Sequence, residues 1–211
     1  MNIAAPVFAD QPAGVRVVSD ARGLDSFRDP SCAAAIWGRE VPSNVALWLD
    51  ALDAKALPDG RVVLHVQAIR DTVLHLCDIA GTPDGPHREW LIDDIADLAQ
   101  RFASLMNADY VRLRLQAVTT NACRKFHLDA ITGRLVCTYR GTGTQYGTSV
   151  RREDPVHIHT APTCAPILLR GSLWPPEPDA GLLHRSPPID GTGETRLLLV
   201  LDPIFDLDEA E

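Results

Sequence analysis

Between residues 86 and 118 the hydrophobic period of this chain changes from that of a helix to that of a strand. From Pro86 to Met106, the residues Trp90, Leu91, Ile95, Leu98, Phe102 and Leu105 fall on one stripe, while Asp93, Asp94, Asp97 and Arg101 lie mainly off it. That is the signature of an amphipathic helix. In Tyr110–Val118 (YVRLRLQAV), Val111, Leu113 and Leu115 alternate with Arg112, Arg114 and Gln116, as in a strand with one face buried. Beyond it, further strands are predicted over about 124–129, 134–139, 165–169, 181–184 and 195–201, separated by Gly/Thr or Pro/Asp/Gly loops. Ahead of it, the pattern is helical from Ser31 to Ala54, with Ser43 placed to N-cap a helix carrying Val45, Leu47, Trp48, Leu49 and Leu52. The stretch GRVVLHVQAI (60–69) suits a strand or a helix leading into DTVLHLCDIAG. The first 30 residues have no sustained period and are expected to wrap over the rest. The expected class is α+β: a mainly helical N-terminal region, 1–108, packed on an all-β region, 109–211, within one continuous domain.

Composition narrows the function. No apolar run approaches the roughly 18 residues of a membrane span, and MNIAAPVFADQPAG lacks a signal peptide's basic flank and apolar run. A soluble, cytoplasmic protein is expected. The net charge is −8, and the densest basic pair, Arg151-Arg152, is followed at once by Glu153-Asp154. Nucleic acid is therefore not an expected partner. The five cysteines are odd in number and form no Cys-x-x-Cys, so free thiols are expected rather than a disulfide framework. No βα alternation is present, and GTGTQYG lacks the Lys-Ser/Thr and following helix of a phosphate loop.

The chemistry centres on His127-Leu128-Asp129. Residues two apart on a strand share a side, but with 7 His and 28 acidic residues such a pair arises by chance. One decoy does arise, His87-Arg88-Glu89. Support comes from His184, at the end of a short apolar strand in Leu-Leu-His-Arg-Ser-Pro-Pro. Two histidines and a carboxylate on neighbouring strands can cap one face of an octahedral metal and leave the other face open. Arg196 follows twelve residues later and leads into five consecutive apolar residues, 197–201, a strand expected to be buried on both faces. A guanidinium in such a core needs an anion. A protein carboxylate or the carboxylate of a bound ligand would serve. Its parity groups it with Leu198 and Val200.

His127-x-Asp129, His184 and Arg196, in that order, resemble Fe(II)/2-oxoglutarate-dependent dioxygenases on the double-stranded β-helix (jelly-roll) fold, over roughly 110–202. The resemblance implies Fe(II) on His127, Asp129 and His184, and 2-oxoglutarate with its distal carboxylate on Arg196. Tyr139 would be a hydrogen-bond donor to that co-substrate. The implied activity is oxidation of a small molecule or protein side chain. The chain also resembles an uncharacterised bacterial family marked by Thr-Tyr-Arg-Gly-x-Gly-Thr (138–144) and His-Arg-Ser-Pro-Pro (184–188). That family brings an association with zinc homeostasis. The alternatives are thus a non-catalytic, zinc-binding jelly roll, or a cupin-like isomerase or hydrolase without 2-oxoglutarate. A closed zinc site needs four ligands and no clamp, whereas an oxygenase needs open positions and a clamp. His157, His159 and Cys164 form a separate, weaker zinc candidate.

Overall fold

The computed structural model describes residues 2–3, 10–149, 153–174 and 181–208; Arg151 and Arg152 lie outside the described residues. Strand β1 (Asn2–Ile3) pairs with β4 (Val41–Pro42). Between them come β2 (Val15–Val18) and β3 (Ala34–Trp37), followed after β4 by helix α1 (Ser43–Ala51). Strand β5 (Gly60–His65) leads through one 3-10 turn into α2 (Ile69–Ala80), so the ambiguous stretch 60–69 is strand first and helix second. Helix α3 spans Pro86–Met106, as the stripe predicts, with Pro86 in the first turn, where its missing N–H costs nothing. Asn107 ends it in the left-handed conformation, φ 53°, which asparagine tolerates. The strands that follow are β6 (Tyr110–Val118), β7 (Gly133–Arg140), β8 (Gln145–Thr148), β9 (His159–Thr160), β10 (Ile167–Arg170), β11 (Leu182–Arg185) and β12 (Arg196–Ile204).

Seven strands form one sheet in the order β2-β3-β10-β7-β12-β6-β5, and β11-β8-β9 form a second. Alternation along β6, β7 and β12 sorts their side chains between two cores. Leu113, Leu115, Leu135, Cys137, Leu199 and Leu201 face Leu91, Ile95, Leu98 and Phe102 of α3. Val136, Leu198 and Val200 face the opposite way, in a core with Tyr146 of β8 and Leu182 of β11. Every residue of β12 from Arg196 to Pro203 is buried, because β12 sits inside the sheet with helices on one face and the small sheet on the other. The apolar run 197–201 has its explanation there.

The architecture is mixed α+β, and it departs from the sequence reading in four places. The N-terminal 108 residues supply more than helices, since β2, β3 and β5 join the large sheet. Ala34–Trp37, inside the stretch 31–54 expected to be helical, is a strand, and because Ala34-Ala35-Ile36 is buried on both faces it carries no alternation to read. The expected strand over 124–129 is absent. Only His127 pairs, through an isolated antiparallel bridge to His184. Fourth, Ser43 is the first helical residue and Pro42 the cap, while β8 forms in a stretch with loop composition.

Leu199 is fully buried between α3 and the sheet. Leu199→Ala should lower stability by about 2–5 kcal/mol in denaturant unfolding. The same change at Leu47, 70% exposed, should cost less than about 0.5 kcal/mol.

Candidate metal centre

Segment 121–127 is held without a strand ladder. The Asn121 side-chain oxygen accepts the amides of Ile189 and Asp190 at 2.9 and 3.0 Å, and the Cys123 carbonyl accepts that of Ser186 at 2.9 Å. The chain beyond β11 thus grips the segment from one side. His127 and His184 then exchange both backbone hydrogen bonds, at 3.0 and 3.1 Å, and their rings lie 4.6 Å apart. Asp129 is fixed from below, where its carbonyl accepts the Ser172 amide at 2.8 Å. Gly171 makes this approach possible, because a Cβ there would lie 1.9 Å from the Ile131 carbonyl oxygen.

Ligand atoms from His127, Asp129 and His184 all fall within 4.8 Å of one another, and this is the sole such group of three among the described residues. The Asp129 carboxylate lies 3.5 Å from His127 Nε2 and 3.0 Å from His184 Nε2. His127 Nδ1 sits 2.8 Å from the Lys125 carbonyl, which can only accept, so Nδ1 carries the proton. Nε2 therefore turns its lone pair on a carboxylate oxygen. Two acceptors face each other this way only with a cation or a second proton between them. An imidazole whose far N–H is tied to a backbone carbonyl is also the usual setting of a metal-bound histidine. The donor set fits a metal ion.

The charges agree with this geometry. Hydrogen bonding to Asp129, aided by the Lys125 carbonyl, raises the His127 pKa against burial. Burial lowers that of His184, outweighing the neighbouring carboxylate. Burial works against ionisation of Asp129, but the two histidines and Arg134 overcome it and hold its carboxyl far below the usual range. Arg134 was not singled out by the sequence. Its Nη1 donates to Asp129 at 2.6 Å, and its Nε and Nη2 grip the Asp202 carboxylate at 2.6 and 2.9 Å. Asp202 continues the parity Arg196, Leu198, Val200 on β12, and an acid closing a buried apolar strand is the signal that marks it.

A cavity of about 110 Å³ between the two sheets is lined by His127, His184, Arg134, Val136, Leu198 and Val200, among others. Arg196 is 1% exposed and lies on the same face of β12 as Leu198 and Val200. It donates to the Thr142 carbonyl at 2.6 Å and to Thr138 Oγ1 at 3.3 Å, and it forms no ion pair among the described residues. Burial pulls its pKa down to about 10 despite the charge of Glu194. Tyr139 is a correction. It has the opposite parity to Thr138, packs edge-on against Trp90, and donates its hydroxyl to Asp94 at 2.6 Å on the helical side of the sheet. It cannot reach this cavity. His157, His159 and Cys164 do not converge either. His159 stacks on Tyr146, whereas Cys164 is buried against the Tyr139 carbonyl, with burial pushing its pKa up to about 12. The decoy residues are occupied elsewhere: His87 stacks on Trp48, and Glu89 pairs with Arg70.

Fold and site together define a mixed α+β protein with a candidate His-Asp-His metal centre. The chain belongs to the family described as "Protein of unknown function (DUF1826)", which matches residues 18–202. Comparison with curated protein sequences finds no match. Among solved structures, the chain is similar to the dioxygenase for auxin oxidation 1 of Arabidopsis thaliana, in complex with 2-oxoglutarate. The match covers 93% of this chain and 94% of that one at 10% identity, with a TM-score of 0.49. The rice dioxygenase for auxin oxidation matches over 95% and 85% at 13% identity, TM-score 0.48. A Pseudomonas putida prolyl-4-hydroxylase matches over 75% and 94% at 14% identity, TM-score 0.38. No helix among the described residues is long and apolar enough to cross a membrane.

A protonated imidazole cannot ligate a metal, so the raised His127 pKa sets a pH dependence. Mn(II) affinity, followed by calorimetry, should fall as pH drops below that pKa. Binding at lower pH should release on the order of one proton, from His127, whose pKa is raised, rather than from His184, whose pKa burial lowers. An affinity flat across this range would contradict the assignment of His127.

Proposed function

We propose that this chain is a non-haem Fe(II)/2-oxoglutarate-dependent dioxygenase of the hydroxylase type, built on a double-stranded β-helix. The single observation that carries the reading is the presence of two features on the side of the large sheet that faces the small one. One is a three-donor group that fits a cation; the other is a buried arginine in no ion pair among the described residues. A metal site alone would need no Arg196, and Arg196 alone, buried without an anion, would be destabilising by several kcal/mol.

In this reading His127, Asp129 and His184 hold Fe(II), and Arg196 takes the distal carboxylate of 2-oxoglutarate. Bound together, iron and 2-oxoglutarate supply oxidation of a C–H bond by molecular oxygen. The chain's own residues do the rest. The Lys125 carbonyl keeps His127 in the tautomer that presents Nε2. Arg134, anchored by Asp202, holds the Asp129 carboxylate in place and ionised. Thr138 and the Thr142 carbonyl orient the Arg196 guanidinium, and Val136, Leu198 and Val200 present an apolar wall that limits water in the cavity. The zinc alternative gains nothing comparable. A closed site wants a fourth ligand, and Cys123 Sγ lies 3.7 Å from His127 Nδ1, the nitrogen turned away from Asp129.

Anaerobic titration with Fe(II) should give a visible charge-transfer band only when 2-oxoglutarate is also present. Arg196→Ala should weaken 2-oxoglutarate binding at least roughly tenfold, the worth of one charged hydrogen-bond pair, and leave Fe(II) affinity nearly intact. Absence of the band, with tight zinc binding in its place, would overturn the proposal. Joint loss of metal and 2-oxoglutarate binding in Arg196→Ala would make Arg196 a structural residue.

A further inference from the structure

The cavity wall carries three arginines, Arg114, Arg134 and Arg185, and no carboxylate residue is among those that line it. That is unexpected in a chain of net charge −8. Arg134 is accounted for by Asp129 and Asp202. The other two are not. Arg114 projects from β6 on the face that alternation turns away from α3, and makes no hydrogen bond or ion pair among the described residues. Burial, and then the like charge of Arg134 close by, lower its pKa against the weaker pull of the Asp202 and Asp129 carboxylates, neither of which pairs with it. Arg185 donates its Nε to Gln145 at 2.8 Å, and its guanidinium lies over the Phe126 ring, 4.4 Å from the centroid. It likewise forms no ion pair among the described residues.

Charge balance then singles these two out, given the dioxygenase reading on which this inference rests. The two carboxylates of 2-oxoglutarate are met by Arg196 and by the charge that Asp129 leaves on a divalent metal, while Asp202 answers Arg134. Arg114 and Arg185 remain as two cations in no ion pair among the described residues, with Val136, Leu198 and Val200 as the apolar part of the same wall. A guanidinium fork matches a carboxylate bidentately, and the apolar part of the wall suits the hydrocarbon part of the same molecule. We propose that the oxidised substrate of this site is a small organic carboxylate, with Arg114 as its principal anchor and Arg185, stacked on Phe126, as the second. Neither arginine touches the metal ligands' donor atoms. Their role is to bind and orient the substrate.

The test uses benzoate as probe, with benzamide as its neutral counterpart and inorganic phosphate as a competing anion. Each is titrated by calorimetry into full-length protein saturated with Mn(II) and 2-oxoglutarate under nitrogen. Benzoate should bind at least roughly tenfold more tightly than benzamide and more tightly than phosphate. Arg114→Gln should abolish that preference, Arg185→Gln should reduce it, and both variants should keep wild-type 2-oxoglutarate affinity. Because Arg114 has no hydrogen bond or ion pair among the described residues to lose, Arg114→Gln should also melt close to wild type, whereas loss of an arginine that holds the fold would lower the melting temperature clearly. Equal binding of benzoate and benzamide, tighter binding of phosphate, or a preference that survives Arg114→Gln would each overturn the proposal. Saturation with 2-oxoglutarate is itself measured first. If it fails, the dioxygenase reading falls, and the benzoate preference and its loss in Arg114→Gln are then read with Mn(II) alone.

Discussion

One carboxylate organises the interior of this protein. Asp129 stands 3.5 and 3.0 Å from two imidazoles and 2.6 Å from a guanidinium, in a half-buried position where an isolated charge is costly. Its ionisation is held by what surrounds it, and what surrounds it comes from three places: the loop before β7, strand β11, and, through Arg134 and Asp202, strand β12. The two sheets are joined at this point by electrostatics as well as by packing. Removing the carboxylate would leave Arg134 half satisfied and two histidines with nothing to face.

The rest of the fold can be understood as the means of presenting that group. The large sheet uses its odd-numbered side chains on β6, β7 and β12 to seat α3, and its even-numbered ones to line the space under the small sheet. Because β12 is covered on both faces, the polar groups it carries, Arg196 and Asp202, are committed to that inner space and must find partners in it. Asp202 has one in Arg134. Arg196 has only a carbonyl and a hydroxyl among the described residues, and that imbalance is what a ligand carboxylate would correct. In the proposed function, the distal carboxylate of 2-oxoglutarate would balance Arg196 in this set of fixed charges.

Much of this was legible in the sequence, and the rest fails for identifiable reasons. The helix 86–106, the alternation in β6 and the doubly buried strand after Arg196 follow from period alone, because each is long enough to sample its pattern several times. His127, Asp129 and His184 could be picked out because a strand-like spacing placed two of them together and an apolar strand carried the third. The supporting structure around them was not legible. His127 sits on a single bridge rather than a strand, held by Asn121 and Cys123 through contacts more than 60 residues away in sequence. The family resemblance places Tyr139 at the co-substrate, but strand parity does not, since Thr138 and not Tyr139 shares a face with Val136. The Arg134–Asp202 pair depends on strand register, which alternation does not fix. Strands β2 and β3 are short, and β3 is wholly apolar, so neither offers a period to read.

The central claim is that one ion is shared by His127, Asp129 and His184, with Arg196 opposite to receive a carboxylate. A crystal structure of the protein loaded anaerobically with Mn(II) and 2-oxoglutarate tests it most directly. The account predicts Mn(II) on Nε2 of both histidines and on the Asp129 carboxylate, no fourth protein ligand, and the far carboxylate of 2-oxoglutarate on the Arg196 guanidinium. A metal bound elsewhere, a fourth side chain closing the coordination, or 2-oxoglutarate lying away from Arg196 would contradict it.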